Sequence, residues 1–405
     1  MKKRIVSSII LLLMLSFVAC GVKLSEGDSQ KETEQQTENR TEAVTSEIET
    51  DTETDHEPDV DTEPEVDTEA IIPDTESETE SAIPEPEVTE IVISAVGDVT
   101  LGTNQKATYS KSFHEYYDKY GVDYFLQNVK GVFEEDDFSI INLEGTLTNS
   151  ENIRTTKQWN HKGKPEYVNI LTNASVEAVT LGNNHIMDYQ QEGVNDTIQT
   201  VKDAGLTYGL SGDWGHALGI YETKGIKIGF VSVNEYYDGS RVYKWLENGL
   251  VDLREQGADI VIAAMHWGGD KVHELEEEQR VMGKWCIDQG FDLVLGCHPH
   301  VLQGIEEYNG KYIVYSMGNF CYGGSKNPAE KESMIFQIKF SFVDGVMQEE
   351  TNAKIIPCRL SSVTNRNDYC PVILEGEEAQ KVIDQMNGYS EEFGLVIDEE
   401  GNILK

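Results

Sequence analysis

Short apolar runs alternate with amphipathic stretches through most of residues 91–300. The apolar runs have the length of buried strands, and the amphipathic stretches place apolar residues at helical spacing. Strands are predicted at 91–96, 138–143, 176–181, 226–233, 259–265 and 291–295, and helices at 112–135 (divided at Gly121), 166–173, 190–204, 241–256 and 274–289. This alternation predicts an α/β fold with a sheet between helical layers.

Beyond residue 300 the pattern changes to strands joined by tight turns. Strands are predicted at 304–308, 311–315 and 334–343, and Asn309-Gly310 and Asp344-Gly345 lie at turns between strands. Such dipeptides favour hairpins, so this region is predicted to be antiparallel, as the far end of the sheet or as a second sheet. One further helix is predicted around 377–386, and residues 149–165 are predicted to form a loop.

Five apolar runs end in residues that can bind a metal ion. The residues at these ends are Asp98, Glu144, Asn184, His266, His298 and His300. Strands that end at one edge of a sheet bring such residues together, so a single site is predicted there. Carboxylate, amide and imidazole ligands in combination suit Zn²⁺, Mn²⁺ or iron, and one or two ions are expected.

The loop that carries Asn184 also carries two candidates for catalysis. His185 is predicted to act as a general acid for a leaving oxygen, and Asp188 is predicted to orient it. Asn183 is expected to hydrogen-bond the loop backbone, and Cys297 is expected to be a buried structural thiol. Each residue alone has an ordinary structural interpretation, so the predicted site depends on the whole set occurring in order.

The composition of the first 90 of the 405 residues differs from that of the rest of the chain. Residues 1–22 have a basic start, an apolar run and Cys20 after a small residue, which resembles the signal of bacterial lipoproteins. Cleavage after residue 19 and lipidation of Cys20 are predicted, with an uncleaved membrane anchor as the alternative. Residues 20–90, rich in Thr, Glu and Asp, are predicted to be a disordered spacer, or else to bind a cationic partner. A folded domain is assigned to 91–345 and a C-terminal extension to 346–405.

The net charge of −41 argues against nucleic-acid binding, which requires basic surface. The expected location is the outer face of the cell membrane. Five basic residues are nevertheless concentrated in one loop: Arg154, Lys157, His161, Lys162 and Lys164. They are predicted to guide a polyanionic substrate, with an ordinary solvated loop as the alternative. Trp159 in this loop either covers the site or packs beneath it, and the sequence leaves open whether Cys358 and Cys370 form a disulfide.

Six motifs in order resemble the CapA/PgsA family of bacterial capsule-synthesis proteins. They occupy residues 97–102, 142–148, 182–189, 266–268, 296–301 and 315–320. The resemblance implies a calcineurin-like metallophosphoesterase fold, which is a double β-sandwich flanked by helices. It also implies that Asp98, Glu144, Asn184, His266, His298 and His300 are metal ligands, with Glu144 in place of a bridging aspartate, and that His185 is catalytic. Thr100 stands where a further metal-binding histidine is expected, so one metal position is expected to be weak or empty.

The predicted function is synthesis, export or surface retention of an anionic capsule polymer such as poly-γ-glutamate. The predicted protein is lipid-anchored, carries a metal-dependent hydrolase-like site and works with other capsule-synthesis membrane proteins. One alternative is a non-catalytic subunit that binds or assembles the polymer, and another is an exported metallophosphoesterase unrelated to capsule. The ligand set favours an enzyme, whereas Thr100 favours the non-catalytic subunit.

Overall fold

Strands and helices alternate along residues 85–404, the part of the chain described by this computed structural model. The signal sequence, the lipidated Cys20 and nearly all of the acidic spacer are predictions that lie outside the described residues. Within residues 85–404, the helices are too short or too polar to span a bilayer.

The strands carry the residues of the candidate site at their ends. They are β1 (Val88–Thr100), β2 (Thr103–Asn104), β3 (Phe138–Leu143), β4 (Thr146–Leu147), β5 (His161–Gly163), β6 (Ala178–Thr180), β7 (Thr207–Gly212), β8 (Gly215–Ala217), β9 (Gly219–Thr223), β10 (Ile226–Asn234), β11 (Ile260–His266), β12 (Leu293–Cys297), β13 (Ile305–Tyr308), β14 (Lys311–Val314), β15 (Asn319–Tyr322), β16 (Glu332–Val343), β17 (Val346–Met347), β18 (Asn352–Arg359), β19 (Val372–Ile373), β20 (Val396–Ile397) and β21 (Ile403–Leu404).

The helices lie mostly between these strands. They are α1 (Phe113–Tyr120), α2 (Lys130–Glu135), α3 (Asn169–Thr172), α4 (Gln190–Asp203), α5 (Glu235–Asp238), α6 (Arg241–Glu255), α7 (Glu277–Gln289) and α8 (Gly376–Ser390), with 3₁₀ turns at Val122–Tyr124, Pro165–Val168 and Glu391–Phe393. The predicted division at Gly121 is confirmed. Ser112 caps α1, and Gly121 ends it at a positive φ of 78° that favours glycine.

One large sheet runs in the order β13-β14-β12-β11-β10-β7-β6-β3-β1-β16-β18-β19. Its middle, from β14 to β1, is parallel, and its two ends are antiparallel. The strands β7 and β10 share a single paired position, Ser211 with Val233. The antiparallel character predicted beyond residue 300 is therefore confirmed, although β14 joins β12 in parallel.

Alternate residues of each strand show that the sheet folds back on itself. Ile93 of β1 and Ile140 of β3 share one core with Ile228 of β10 and Ile262 of β11. Their sequence neighbours point the other way, because side chains alternate across a strand. Val96, Ile141 and Val179 pack on the helices α1–α4, whereas Val231, Val261 and Val294 pack on α6 and α7. The fold is thus α/β with two facing sheet layers between two helical layers, which is the double β-sandwich that the resemblance implies.

Several short strands were not predicted from the sequence. The segment from β7 to β9 contains four glycines and little apolar alternation, and the predicted loop at 149–165 contains β5, which pairs with β2 and β4. The predicted helix at 166–173 is a 3₁₀ turn followed by the short α3. Within 346–405, β18 pairs with β16 along eight positions and α8 buries Val382 and Met386 in the central core, so this segment continues the main sheet.

Candidate metal centre

The carboxyl ends of the parallel strands bring the predicted ligands together at one edge of the sheet. Asp98 lies near the end of β1, where the register with β3 shifts, and its backbone N–H donates to the carbonyl of Gly318 at 2.9 Å. Gly97 permits this close approach, because a Cβ there would lie 1.9 Å from the Gly318 carbonyl oxygen. His266 ends β11, and the loops after β3, β6 and β12 supply the other candidates.

Glu144 is the centre of the arrangement. Its Oε1 atom is buried and has no hydrogen-bond partner among the described residues. Three imidazole Nε2 atoms surround that oxygen, at 3.7 Å for His300, 3.8 Å for His185 and 4.0 Å for His266. These distances are too long for hydrogen bonds, so the groups converge on one point without bonding each other.

Two candidate metal-binding groups share this carboxylate. One contains Glu144, His266 and His298, and the other contains Asp98, Glu144 and His300; within each group the ligand atoms lie within 4.8 Å of one another. Glu144 is thus the residue common to both groups, and the resemblance predicts a bridging carboxylate at this position.

Asn184 belongs beside the first group. Its Oδ1 is buried without a partner among the described residues, and its Nδ2 lies 3.3 Å from Nδ1 of His298. That same Nδ1 lies 3.0 Å from Nε2 of His266. Two ring nitrogens that face each other beside an unbonded amide oxygen and an unbonded carboxylate oxygen fit the donor set of a divalent transition metal.

The backbone around Pro299 is strained. His298 has a φ of 101° and His300 a φ of 60°, conformations that side-chain-bearing residues adopt only when the surroundings hold them there. The backbone N–H of His298 lies 3.4 Å from both carboxylate oxygens of Asp98, and Nδ1 of His300 lies 3.0 Å from Oδ2 of Asp98. The short loop thereby presents both imidazoles to the same cluster.

Burial and like charges shape the electrostatics of the cluster. Burial raises the pKa of Glu144 to about 8. Burial also opposes protonation of His300, but the carboxylates of Glu144 and Asp98 outweigh it and raise the pKa of that histidine to about 10. Burial lowers the pKa of His298 to about 4 and lowers that of His266 as well. His266 and His298 thus remain neutral and available as ligands, whereas His300 holds the positive charge that the buried carboxylates favour, and a bound cation would supply such charge instead.

His185 and Asp188 have the geometry predicted for an acid and its orienting group. Nδ1 of His185 lies 2.5 Å from Oδ2 of Asp188, which leaves Nε2 facing Glu144. Lys157 completes the arrangement, because its Nζ lies 3.1 Å from Oδ1 of Asp188 and 3.0 Å from Nδ1 of His185. Asn183 donates to the carbonyl of Leu143, in line with its expected backbone role.

A cleft of about 1460 Å³ opens over the cluster. Of the five basic loop residues, Arg154, Lys157 and His161 line it. The structure places the other two elsewhere: Lys162 pairs with Glu151 at 2.7 Å, and Lys164 lies 3.6 Å from Asp118 and 3.5 Å from Glu166. Trp159 lines the cleft and is 48% exposed, so it neither packs beneath the cluster nor covers it completely.

Sequence reasoning missed several residues of the site. Asn142 donates to Asp98 at 2.7 Å and lies 3.3 Å from Nδ1 of His266, and Asn319 lies 3.0 Å from Nδ1 of His300. Asn142 lies in the motif at 142–148 and Asn319 in the motif at 315–320, but neither residue was predicted to contribute to the site. Tyr322, just after the last motif, also lines the cleft. The thiols of Cys297, Cys358 and Cys370 are free, and Cys297 is buried.

Fold and site together define an α/β sandwich protein with a candidate dinuclear metal centre. The sequence model of the bacterial capsule synthesis protein family PGA_cap matches residues 92–323, which is more than half of the chain. The chain belongs to this family.

Two relatives carry capsule-related names. The PGA biosynthesis protein CapA of Bacillus subtilis (strain 168) is 28% identical over 247 residues, covering 56% of this chain and 62% of the relative. The capsule biosynthesis protein CapA of Bacillus anthracis is 26% identical over 276 residues, covering 63% of each. The chain thus spans less than two thirds of the length of these relatives.

Among solved structures, a hypothetical protein from Thermus thermophilus matches with a TM-score of 0.42 and 15% identity, covering 66% of this chain and 99% of that protein. Vps29 from Chaetomium thermophilum matches with a TM-score of 0.27 and 12% identity, covering 59% of this chain and 96% of that protein.

Proposed function

We propose that this chain acts in the synthesis, export or retention of an anionic capsule polymer, such as poly-γ-glutamate, through a metal-dependent hydrolase-like site. The proposal includes a location on the outer face of the cell membrane, with a lipid on Cys20 and other capsule-synthesis membrane proteins as partners. Membership of the PGA_cap family and the names of the two Bacillus relatives support the link to capsule.

The observation that carries the metal-dependent part is the unpartnered Oε1 of Glu144, surrounded within the described chain by imidazole Nε2 atoms of three histidines at 3.7–4.0 Å. Leaving a buried polar atom unbonded costs on the order of 1–3 kcal/mol, and more for a charged group, unless a ligand compensates. Asp98, His300, His266, His298 and Asn184 complete two ligand groups around that carboxylate.

The chain's own residues supply the remaining chemistry. A divalent metal, when bound, contributes Lewis-acid activation of water and of the bond to be cleaved. Asp188 holds Nδ1 of His185, so Nε2 is the nitrogen that exchanges a proton with the substrate. Arg154 lines the cleft, with Lys106 and Lys326, and these cations attract an anionic polymer despite the acidic composition of the chain.

The test is elemental analysis of the purified protein after supply of Mn²⁺, Zn²⁺ or Fe²⁺. Wild type is expected to bind one or two equivalents. His298→Ala is expected to lose at least one of them, because the imidazole belongs to one ligand group. His185→Ala is the matched control, since it removes a neighbouring imidazole that belongs to neither group, and it is expected to keep the metal. A wild-type protein that binds none of these ions would overturn the metal-dependent function.

Thr100 favours a second candidate, a subunit that binds or assembles polymer without catalysis. Its Oγ1 donates to Oε2 of Glu144 at 3.3 Å, in the position where a metal-binding histidine is expected. A protein that binds metal and polymer but leaves the length of poly-γ-glutamate unchanged would support this candidate over the hydrolase.

A further inference from the structure

We propose that Tyr322 and His161 form an uncharged subsite of the cleft that binds an amide group of the substrate. The inference rests on the proposed function and deepens it, because it assigns the reaction to amide bonds rather than phosphoester bonds. Neither residue belongs to the ligand groups, and each presents polar atoms that have no partner within residues 85–404.

Tyr322 lies beside the cluster. Its ring centroid is 5.1 Å from that of His300, and it lines the cleft. Its hydroxyl forms no hydrogen bond within the described part of the chain, although the backbone carbonyl of the same residue accepts one from Asn367. A phenol in this position offers one donor and two acceptor lone pairs to a bound molecule.

His161 lies on the other side of the same space. It is only 4% exposed, and its Nδ1 is buried without a partner among the described residues. Its ring centroid lies 4.0 Å from that of His185, with an angle of 41° between the ring planes, and 6.2 Å from that of Tyr322. Burial, together with the neighbouring His185, lowers its pKa well below the usual value. A neutral imidazole carries one donor and one acceptor.

Gly324 lets both side chains approach the backbone closely. A Cβ at that position would lie 2.5 Å from the Tyr322 hydroxyl oxygen and 2.5 Å from Cε1 of His161. The phenol and the imidazole therefore lie against the same point of the backbone, and a side chain there would displace both.

Lys157, the lysine that contacts His185, already has hydrogen-bond partners within the protein. Nζ of Lys157 donates to the carbonyl of Asn184 at 2.7 Å and to Asp188 at 3.1 Å, and it lies 3.0 Å from Nδ1 of His185, whose N–H is directed at Asp188. Three other lysines line the cleft: Lys106 lies over Trp159, Lys271 lies 3.6 Å from Asp270, and Lys326 donates to Thr108 and Ser110. At the subsite itself, a doubly charged phosphate monoester would meet the phenol of Tyr322 and the neutral imidazole of His161, neither of which carries a compensating charge.

An amide matches those groups better. It presents a carbonyl acceptor and an N–H donor, and both the phenol and the neutral imidazole can donate and accept. Basic side chains that line the cleft, among them Arg154, Lys106 and Lys326, can then pair with carboxylates carried beside the amide. Hydrolysis adds one water: the C–N bond breaks, the carbonyl carbon takes the hydroxyl group, and the remaining proton of that water passes to the leaving nitrogen through Nε2 of His185, which is unprotonated while Nδ1 donates to Asp188.

The test measures dissociation constants of metal-loaded protein for two probes, γ-glutamylglutamate and inorganic phosphate, by calorimetry. Tyr322→Phe removes only the hydroxyl and keeps the ring. It is expected to weaken dipeptide binding about tenfold, which corresponds to about 1.4 kcal/mol, and to leave phosphate binding and metal content unchanged. Tyr308→Phe is the matched control, since it removes a phenol hydroxyl that lies outside the cleft, 3.4 Å from Asp288, and it is expected to change neither constant.

Two results would overturn the assignment. One is a metal-loaded wild type that binds phosphate more tightly than the dipeptide, and the other is equal dipeptide affinity in wild type and Tyr322→Phe. Both leave the metal-dependent function standing, since both require bound metal. A wild type without metal would overturn the proposed function itself, which elemental analysis of the same sample reveals. His161→Asn, which keeps one neutral donor and one acceptor, should bind the dipeptide more tightly than His161→Phe.

Discussion

Two carboxylates at opposite ends of β3 share a raised pKa and differ in their surroundings. Glu144 follows its carboxyl end and Asp136 precedes its amino end, and each has one buried oxygen without a partner in the described structure. Burial raises the pKa of Glu144 to about 8 and that of Asp136 to about 7. Three imidazoles converge on Glu144, whereas Asp136 accepts a hydrogen bond from Ser139 at 2.7 Å. A perturbed carboxylate therefore indicates a site only where ligands converge on it.

Replacing Glu144 is expected to produce the largest difference in metal affinity between variants at the two ends of β3. Glu144→Gln removes the negative charge shared by both ligand groups, so metal affinity is expected to fall at least about 100-fold, more than for loss of an outer hydrogen bond. Metal titration followed by elemental analysis measures this. Asp136→Asn is the matched control at the other end of the strand and should keep wild-type affinity. Equal losses of metal affinity in the two variants would mean that the imidazoles around Glu144 do not distinguish it from Asp136.

Asp188 extends the comparison to another carboxylate with a raised pKa, but one whose two oxygens both have partners. Burial raises its pKa to about 6, yet it accepts from Lys157 and from the backbone of His161 and binds His185. Asp188→Asn should keep the metal and lower kcat for poly-γ-glutamate hydrolysis about 100-fold, because general acid catalysis contributes about 10²–10⁴-fold and needs an oriented imidazole. Unchanged kcat, or metal loss, would count against an orienting role.

The residues at strand ends were predictable because their positions are fixed by the sheet. Asp98, Glu144 and His266 each follow an apolar run, and parallel strands carry such positions to one edge. Loop side chains lack that constraint. The same basic segment sends Lys157 into the cluster and Lys162 to Glu151, and no periodicity distinguishes them. The position of Tyr322 beside the cluster could not be predicted either, because it depends on how closely Tyr322 and His161 approach Gly324 in space.

The two lysines of that segment provide the next test. Lys157→Met leaves Asp188 buried without its cation, so the free energy of unfolding is expected to fall by about 2 kcal/mol. Lys162→Met removes an ion pair with a largely exposed glutamate, and surface pairs contribute little, so a much smaller change is expected. Urea unfolding of the two variants beside wild type measures both. Similar losses would mean that the basic segment acts as one structural unit.

The smallest effect concerns Asp136 and pH. Its pKa of about 7 in the folded protein exceeds the ordinary value of 3.8, so the unfolded chain releases this proton at lower pH than the folded chain. The contribution of Asp136 to stability is therefore complete below about pH 4 and is lost as pH rises to about 7. Asp136→Asn removes that loss, so its stability relative to wild type should be about 1–2 kcal/mol greater at pH 8 than at pH 4.5, less than the full pKa difference implies because the carboxyl is partly exposed. Urea unfolding with a chelator isolates this contribution from metal binding. A relative stability that stays constant with pH would mean that Asp136 titrates normally, and the two ends of β3 would then differ in burial as well as in ligands.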